Sequence, residues 1–70
     1  MEKSDFYALV GEIFKVNPSD ELNLLELDSY SSMTLMELIA QLEQQNIELD
    51  VVDAVDAANL LELYQIISKQ

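Results

Sequence analysis

The chain contains no cysteine and no histidine, and its only basic residues are three lysines. These absences exclude a disulfide framework and a thiolate site, and they remove the usual ligands of zinc and haem. A nucleophilic serine usually needs histidine or lysine as its base, and nothing in the sequence directs a lysine at a particular serine. With no base, metal-ligand set or phosphate-binding loop, the composition argues against an enzyme with catalytic groups of its own.

Long apolar runs are also missing. The first 14 residues have no uninterrupted apolar segment, so they resemble neither a signal peptide nor a membrane span. The chain has 70 residues, of which 50% are hydrophobic, enough for one small domain with one core. We therefore expect a single domain over residues 1–70, located in the cytoplasm and not bound to a membrane.

Acidic residues dominate the charge. Fourteen acids against three lysines give a formal net charge of −11. Such a surface repels nucleic-acid phosphates and anionic lipid, and it attracts proteins with Lys/Arg patches. We expect basic protein partners and no nucleic acid, although the acids could also simply keep a small hydrophobic protein soluble.

The first apolar stripe predicts a helix over about residues 4–16, with Ser4 as N-cap. Pro18 disfavours helical geometry at Asn17 and so ends this helix. The stripe has the i, i+3, i+4, i+7, i+8 spacing of a one-sided helix: Phe6, Leu9, Val10, Ile13 and Phe14. A long ordered loop, residues 17–28, should follow, because residues 21–27 are apolar enough to lie over a core but have no clear period.

A second helix is predicted over about residues 29–45, with Asp28 or Ser29 capping its free N–H groups. Its inward stripe should comprise Leu35, Leu38, Ile39 and Leu42. Met36 lies beside this stripe, and we interpret it as core filling.

Two further helices complete the predicted fold. A short one, about residues 51–56, should be held against the others by Val51, Val52 and Val55. A last helix, about residues 60–68, should begin after Asn59 as N-cap, and its inward stripe should comprise Leu60, Leu63, Ile66 and Ile67. No β-alternation of useful length competes, so we predict an all-α bundle of three main helices plus one short helix.

Two segments resemble the acyl and peptidyl carrier proteins. The first, residues 27–39, reads LDSYSSMTLMELI and is similar to the D-S-L segment in which the serine at the start of helix II receives 4′-phosphopantetheine. The second, residues 47–67, resembles the family's short helix III and capped helix IV. Tyr30 stands where the family usually has an aliphatic residue, and Glu26 where glycine is frequent. The likeness extends over nearly the whole chain and implies an acyl-carrier-like four-helix bundle.

This resemblance implies a carrier rather than an enzyme. Ser29 would be the phosphopantetheine attachment site, modified by a phosphopantetheinyl transferase that uses coenzyme A and Mg²⁺. The thiol of the arm would hold acyl or aminoacyl groups as thioesters. A loading ligase and the synthase enzymes of fatty acid, polyketide or nonribosomal peptide-type biosynthesis, with basic docking surfaces, would be the partners of a monomeric carrier. Which cargo is loaded stays open.

The resemblance also implies roles for the neighbours of Ser29. Asp28 would help transferase recognition, or serve as an ordinary N-cap, and both roles are compatible. Helix II would be the docking surface, with Met33 as an apolar contact, Thr34 and Glu37 on its outward side, and Tyr30 sharing a face with Met33. Core filling is the alternative for Met33. The alternative for the whole chain is an acidic helical adaptor domain whose Ser29 is never modified.

Overall fold

The computed structural model describes residues 1–69, which form four α-helices and no strand. The helices are α1 (Lys3–Phe14), α2 (Ser32–Glu43), α3 (Val51–Asp56) and α4 (Leu60–Ser68). Three longer helices and one short one make the small all-α bundle that the sequence predicts, and α3 and α4 cover the predicted residues. Among the described residues, no helix is both long enough and apolar enough to cross a bilayer.

The core is built from the inward stripes of the three longer helices. α1 packs against both α2 and α4, and α3 packs against α4. The predicted stripe residues of α2 are all buried, and Leu24, Leu49 and Ala54 close the core from outside the longer helices. The buried residues of α1 and α4 are Phe6, Val10, Phe14, Leu60, Leu63 and Ile67. Helical spacing predicts these positions because it depends only on local geometry. The other predicted stripe residues of these two helices, Leu9, Ile13 and Ile66, are half-buried and pack against the core.

Helix α1 differs from the prediction at both ends. Its N-cap is Glu2 rather than Ser4, and the Glu2 side chain makes no capping hydrogen bond. It ends at Phe14 because Lys15 is left-handed, with φ 58° and ψ 49°, and donates its N–H to the Gly11 carbonyl. Val16 N–H bonds to the same carbonyl at 3.2 Å. The helix therefore stops before Pro18 can act on it.

The segment between α1 and α2 is ordered by hydrogen bonds to the start of α4. Leu60 N–H donates to the Leu22 carbonyl at 2.7 Å, and Leu61 N–H donates to the Asp20 carbonyl at 3.2 Å. Two first-turn N–H groups of α4, which have no partner within a helix, are thereby satisfied. A single 3₁₀ turn, Leu24–Glu26, buries Leu24. These contacts hold the loop against the core.

Helix α3 uses other side chains than predicted. Val51, Val52 and Val55 are exposed, so the prediction that they hold α3 against the bundle is wrong. Ala54 in α3 and Leu49 before it are buried instead. In a six-residue helix the apolar pattern is too short to define a face, and packing decides which side turns inward.

Candidate functional site

Helix α2 begins three residues later than predicted, at Ser32, with Ser31 as its N-cap. Ser31 Oγ accepts the Thr34 N–H at 3.2 Å, and Thr34 Oγ1 accepts the Ser31 N–H at 2.9 Å. This reciprocal pair is a capping box, which satisfies two N–H groups together. The prediction that Asp28 or Ser29 caps the helix is therefore wrong. The S-x-x-T spacing of Ser31 and Thr34 was the signal available in the sequence.

Ser29 lies in a turn that leads into this cap. Tyr30 N–H donates to the Leu27 carbonyl at 3.0 Å, which places Asp28 and Ser29 at the centre of the turn. Ser29 is half-buried, and its Oγ is covered by neighbouring atoms. Among residues 1–69, it is the one buried side-chain oxygen or nitrogen without a hydrogen-bond partner. Ser29 thus does not begin the helix, as the predicted range of residues 29–45 implied, and its hydroxyl is not exposed.

Thr34 connects the turn to α2. Its Oγ1 lies 3.2 Å from the Ser29 carbonyl oxygen and 3.0 Å from the Ser31 carbonyl oxygen, and its hydroxyl hydrogen is shared between the two. The side chain is half-buried. We predicted Thr34 as an outward residue for partner binding, and the structure shows that its hydroxyl is occupied by the backbone of the turn and cap.

Tyr30 lies before α2 and is half-buried, packed against the core cluster. It therefore cannot share a helical face with Met33, and that part of the prediction is wrong. Its aromatic ring fills this position by packing on apolar neighbours.

The outward face of α2 carries two methionines. Met33 is 81% exposed and Met36 is 54% exposed, so core filling, which we favoured for Met36, is wrong for both. They are three residues apart and lie on the same side of the helix. A shallow groove, the methionine groove, is lined by Ser32, Met33, Thr34, Met36 and Glu37. One of the lining residues, Glu37, adds an exposed carboxylate to the groove.

The sequence matches the family model of the phosphopantetheine attachment site over residues 4–67. The chain belongs to this phosphopantetheine carrier family. Neither the curated proteins nor the solved structures that were searched contain a match. The family match confirms the predicted family and its covalently attached 4′-phosphopantetheine, and carrier domains of this kind are not themselves catalytic. As a carrier, the protein interacts with a phosphopantetheinyl transferase and with biosynthetic enzymes.

Proposed function

We propose that this carrier bears its phosphopantetheine on Ser29 and tethers acyl or aminoacyl intermediates as thioesters. It delivers them to partner enzymes of fatty acid, polyketide or nonribosomal peptide-type biosynthesis. The main support is that the Ser29 hydroxyl makes no hydrogen bond within the described residues. Ser29 also follows Asp28 directly, in the turn before α2. Modification at this oxygen breaks no hydrogen bond within the described residues.

The neighbouring serines are less suited to carry the arm. The Ser31 hydroxyl accepts the Thr34 N–H in the capping box, so a substituent there would disturb the start of α2. Ser32 is the first residue of α2, and its hydroxyl does not follow an aspartate. Ser29 is therefore the serine that combines the family's D-S order with a hydroxyl not used by the backbone.

The covered Ser29 oxygen must turn outward before transfer. Ser29 is only half-buried, and a change of its χ1 rotamer moves Oγ without moving the turn. The oxygen then attacks the phosphorus next to pantetheine in coenzyme A. A new P–O bond forms, the pyrophosphate bond breaks, and adenosine bisphosphate leaves. The serine proton passes to a base of the transferase, because this chain has no histidine to accept it.

The attached arm ends in a thiol, which holds the cargo as a thioester. Ser29 lies three residues before Ser32, at the positive end of the α2 dipole, where the phosphodiester is favourably placed. We assign Asp28 to transferase recognition because its carboxylate is exposed beside the attachment site.

The methionine groove is the proposed docking surface for partners. Met33 offers a flexible apolar contact that can adapt to several enzymes, and Glu37 adds charge. With a net charge of −11, the carrier is attracted to Lys/Arg-rich surfaces of the transferase, the loading ligase and the synthase enzymes.

Intact-protein mass spectrometry tests the assignment of Ser29. Wild-type protein incubated with coenzyme A, Mg²⁺ and a broad-specificity transferase should gain the mass of one phosphopantetheinyl group. Ser29→Ala should gain nothing, whereas the matched controls Ser31→Ala and Ser32→Ala should still be modified. Modification of Ser29→Ala would overturn the assignment, and an unmodified wild-type chain would support an adaptor function instead. Protein isolated from its own cells would reveal the cargo in the same measurement.

A further inference from the structure

We propose that Thr34 is a positioning residue for the attachment site, whose hydroxyl holds the turn that presents Ser29. The inference rests on the proposed role of Ser29 as the modified serine. Thr34 does not contact the reacting atoms. It acts through the backbone, because its Oγ1 lies 3.2 Å from the carbonyl oxygen of Ser29 itself and shares its one hydrogen between this oxygen and the Ser31 carbonyl, 3.0 Å away.

Both ends of the turn are held, because the Leu27 and Tyr30 side chains pack against the core and Tyr30 N–H donates to the Leu27 carbonyl. Between them, the Ser29 side chain makes no hydrogen bond. Thr34, in contrast, belongs to the first turn of a twelve-residue helix whose inner face is buried in the core. A hydrogen bond from Thr34 to Ser29 therefore joins the middle of the turn to a rigid element. This bond restricts the backbone that sets where Ser29 Oγ can point.

The chemical type of residue 34 supports this role. A capping box usually has glutamate or glutamine at this position, whose side chain accepts the N–H of the cap residue. An ionised glutamate can only accept, whereas a hydroxyl accepts and donates together. Thr34 does both, since it accepts the Ser31 N–H at 2.9 Å and donates toward the Ser29 carbonyl. Threonine thus completes the cap and restrains the attachment turn with one hydroxyl.

Three variants compare the loss of the Thr34 hydroxyl with the loss of the other half of the capping box. Thr34→Val keeps the shape but removes the hydroxyl, and with it both the contact to the Ser29 carbonyl and the acceptor of the Ser31 N–H. Thr34→Ser keeps the hydroxyl. Ser31→Ala is the matched control, because it removes the acceptor of the Thr34 N–H but leaves the Thr34 hydroxyl beside the Ser29 carbonyl. All three are tested as full-length apo protein.

Kinetics with one transferase provide the first measurement. Small displacements of reacting groups cost large factors in rate, so Thr34→Val should lower kcat for pantetheine transfer about tenfold, with little change in KM. Thr34→Ser should restore kcat. Ser31→Ala should transfer at close to the wild-type kcat even though it melts at a lower temperature. Amide hydrogen exchange gives a reading independent of transfer: exchange at Tyr30 N–H should accelerate in Thr34→Val and stay slow in Ser31→Ala.

The outcomes are distinguishable. Wild-type kcat and wild-type Tyr30 exchange in Thr34→Val would overturn the inference while leaving Ser29 as the attachment site. An equal loss of kcat in Thr34→Val and Ser31→Ala would also overturn it, because helix capping would then explain both. Wild-type protein that is never modified at Ser29 would overturn the proposed function, and this inference with it.

Discussion

The Tyr7 hydroxyl donates a 2.7 Å hydrogen bond to the carboxylate of Asp20, which joins α1 to the loop before α2. The same carboxylate oxygen lies 2.9 Å from Lys3 Nζ, and the Asp20 carbonyl accepts the Leu61 N–H of α4. Asp20 thus connects the loop to two helices. Hydrogen bonds from Lys3 and then Tyr7 lower the pKa of Asp20. Burial, followed by the hydrogen bond to Asp20 and its charge, raises the pKa of Tyr7 to about 12.

Tyr7→Phe should lower the melting temperature at neutral pH, because the loop loses one anchor. Asp20 contributes stability above its ordinary pKa of 3.8 and loses it as the pH falls through the lowered folded value. Tyr7 contributes below its ordinary pKa of 10.0 and loses it as the pH rises through about 12. The difference between wild type and Tyr7→Phe should therefore be largest between pH 3.8 and 10.0 and shrink outside that range.

Thermal melts followed by circular dichroism across pH measure this difference. Tyr64→Phe is the matched control, since its hydroxyl donates only to the Met1 carbonyl near the chain end, at 3.2 Å. A Tyr7→Phe melting curve that is no more affected than that of Tyr64→Phe would contradict the prediction.

The serines at positions 29 and 31 should respond oppositely to replacement by alanine. Ser31→Ala removes the helix cap and should cost about 1 kcal/mol of unfolding free energy. Ser29→Ala removes a covered hydroxyl without a partner, so stability should stay the same or rise by up to about 1 kcal/mol. Urea denaturation of both variants measures the two free energies. Equal destabilisation would show that the Ser29 hydroxyl makes a stabilising hydrogen bond, for example to water.

Gly11→Ala should be destabilising although alanine is the better helix former. A Cβ at this position would lie 2.9 Å from the Val16 carbonyl oxygen and 3.2 Å from Pro18 Cδ, so the backbone after α1 must move. Overpacking of this kind typically costs about 1–3 kcal/mol, which exceeds or cancels the gain of about 1 kcal/mol in helix propensity.

Ala8→Gly, at an exposed position of the same helix, calibrates that propensity by denaturant titration. Ala8→Gly should lower the free energy of unfolding by about 1 kcal/mol. Alanine should thus be more stable than glycine at position 8 and less stable than glycine at position 11. If Gly11→Ala raises the free energy of unfolding, the backbone at Val16 and Pro18 can move away from the new Cβ without loss of stability, and the prediction is wrong.

Met33→Glu should keep the fold but slow pantetheine transfer. Met33 is 81% exposed, so its replacement removes little packing, whereas a charge in the methionine groove must be desolvated by every partner that docks there. Ala8→Glu adds the same charge at an exposed position on α1 and is the matched control. Steady-state kinetics with one transferase should give a lower kcat/KM for Met33→Glu alone. Equal rates for both variants would exclude the methionine groove as the docking surface.

Much of the fold could be predicted because helical periodicity is a local property. The stripes of α1, α2 and α4 each recur at helical spacing, and most of the residues that this spacing selects are buried in the core. Leu9, Ile13 and Ile66 are only half-buried and pack against its edge. The exposed valines of α3 could not be predicted in the same way. Six residues hold fewer than two helical turns, so contact with the rest of the bundle, made through Ala54, determines the buried side.

The sequence by itself determined the all-helical class, the family and the D-S pair that marks Ser29. From the sequence we considered Asp28 and Ser29 as caps of α2 and missed Ser31, although its S-x-x-T spacing with Thr34 is a local signal. Only the tertiary structure decided that residues 28 and 29 lie in a turn before the helix, because Leu27 and Tyr30 on either side of them pack against the core. The Leu27–Tyr30 turn and the Ser31–Thr34 capping box form together, and the helix starts where both sets of backbone hydrogen bonds are satisfied. That choice leaves the hydroxyl of Ser29 unused, because hydrogen bonding over the whole junction, rather than the propensity of one residue, sets the helix boundary.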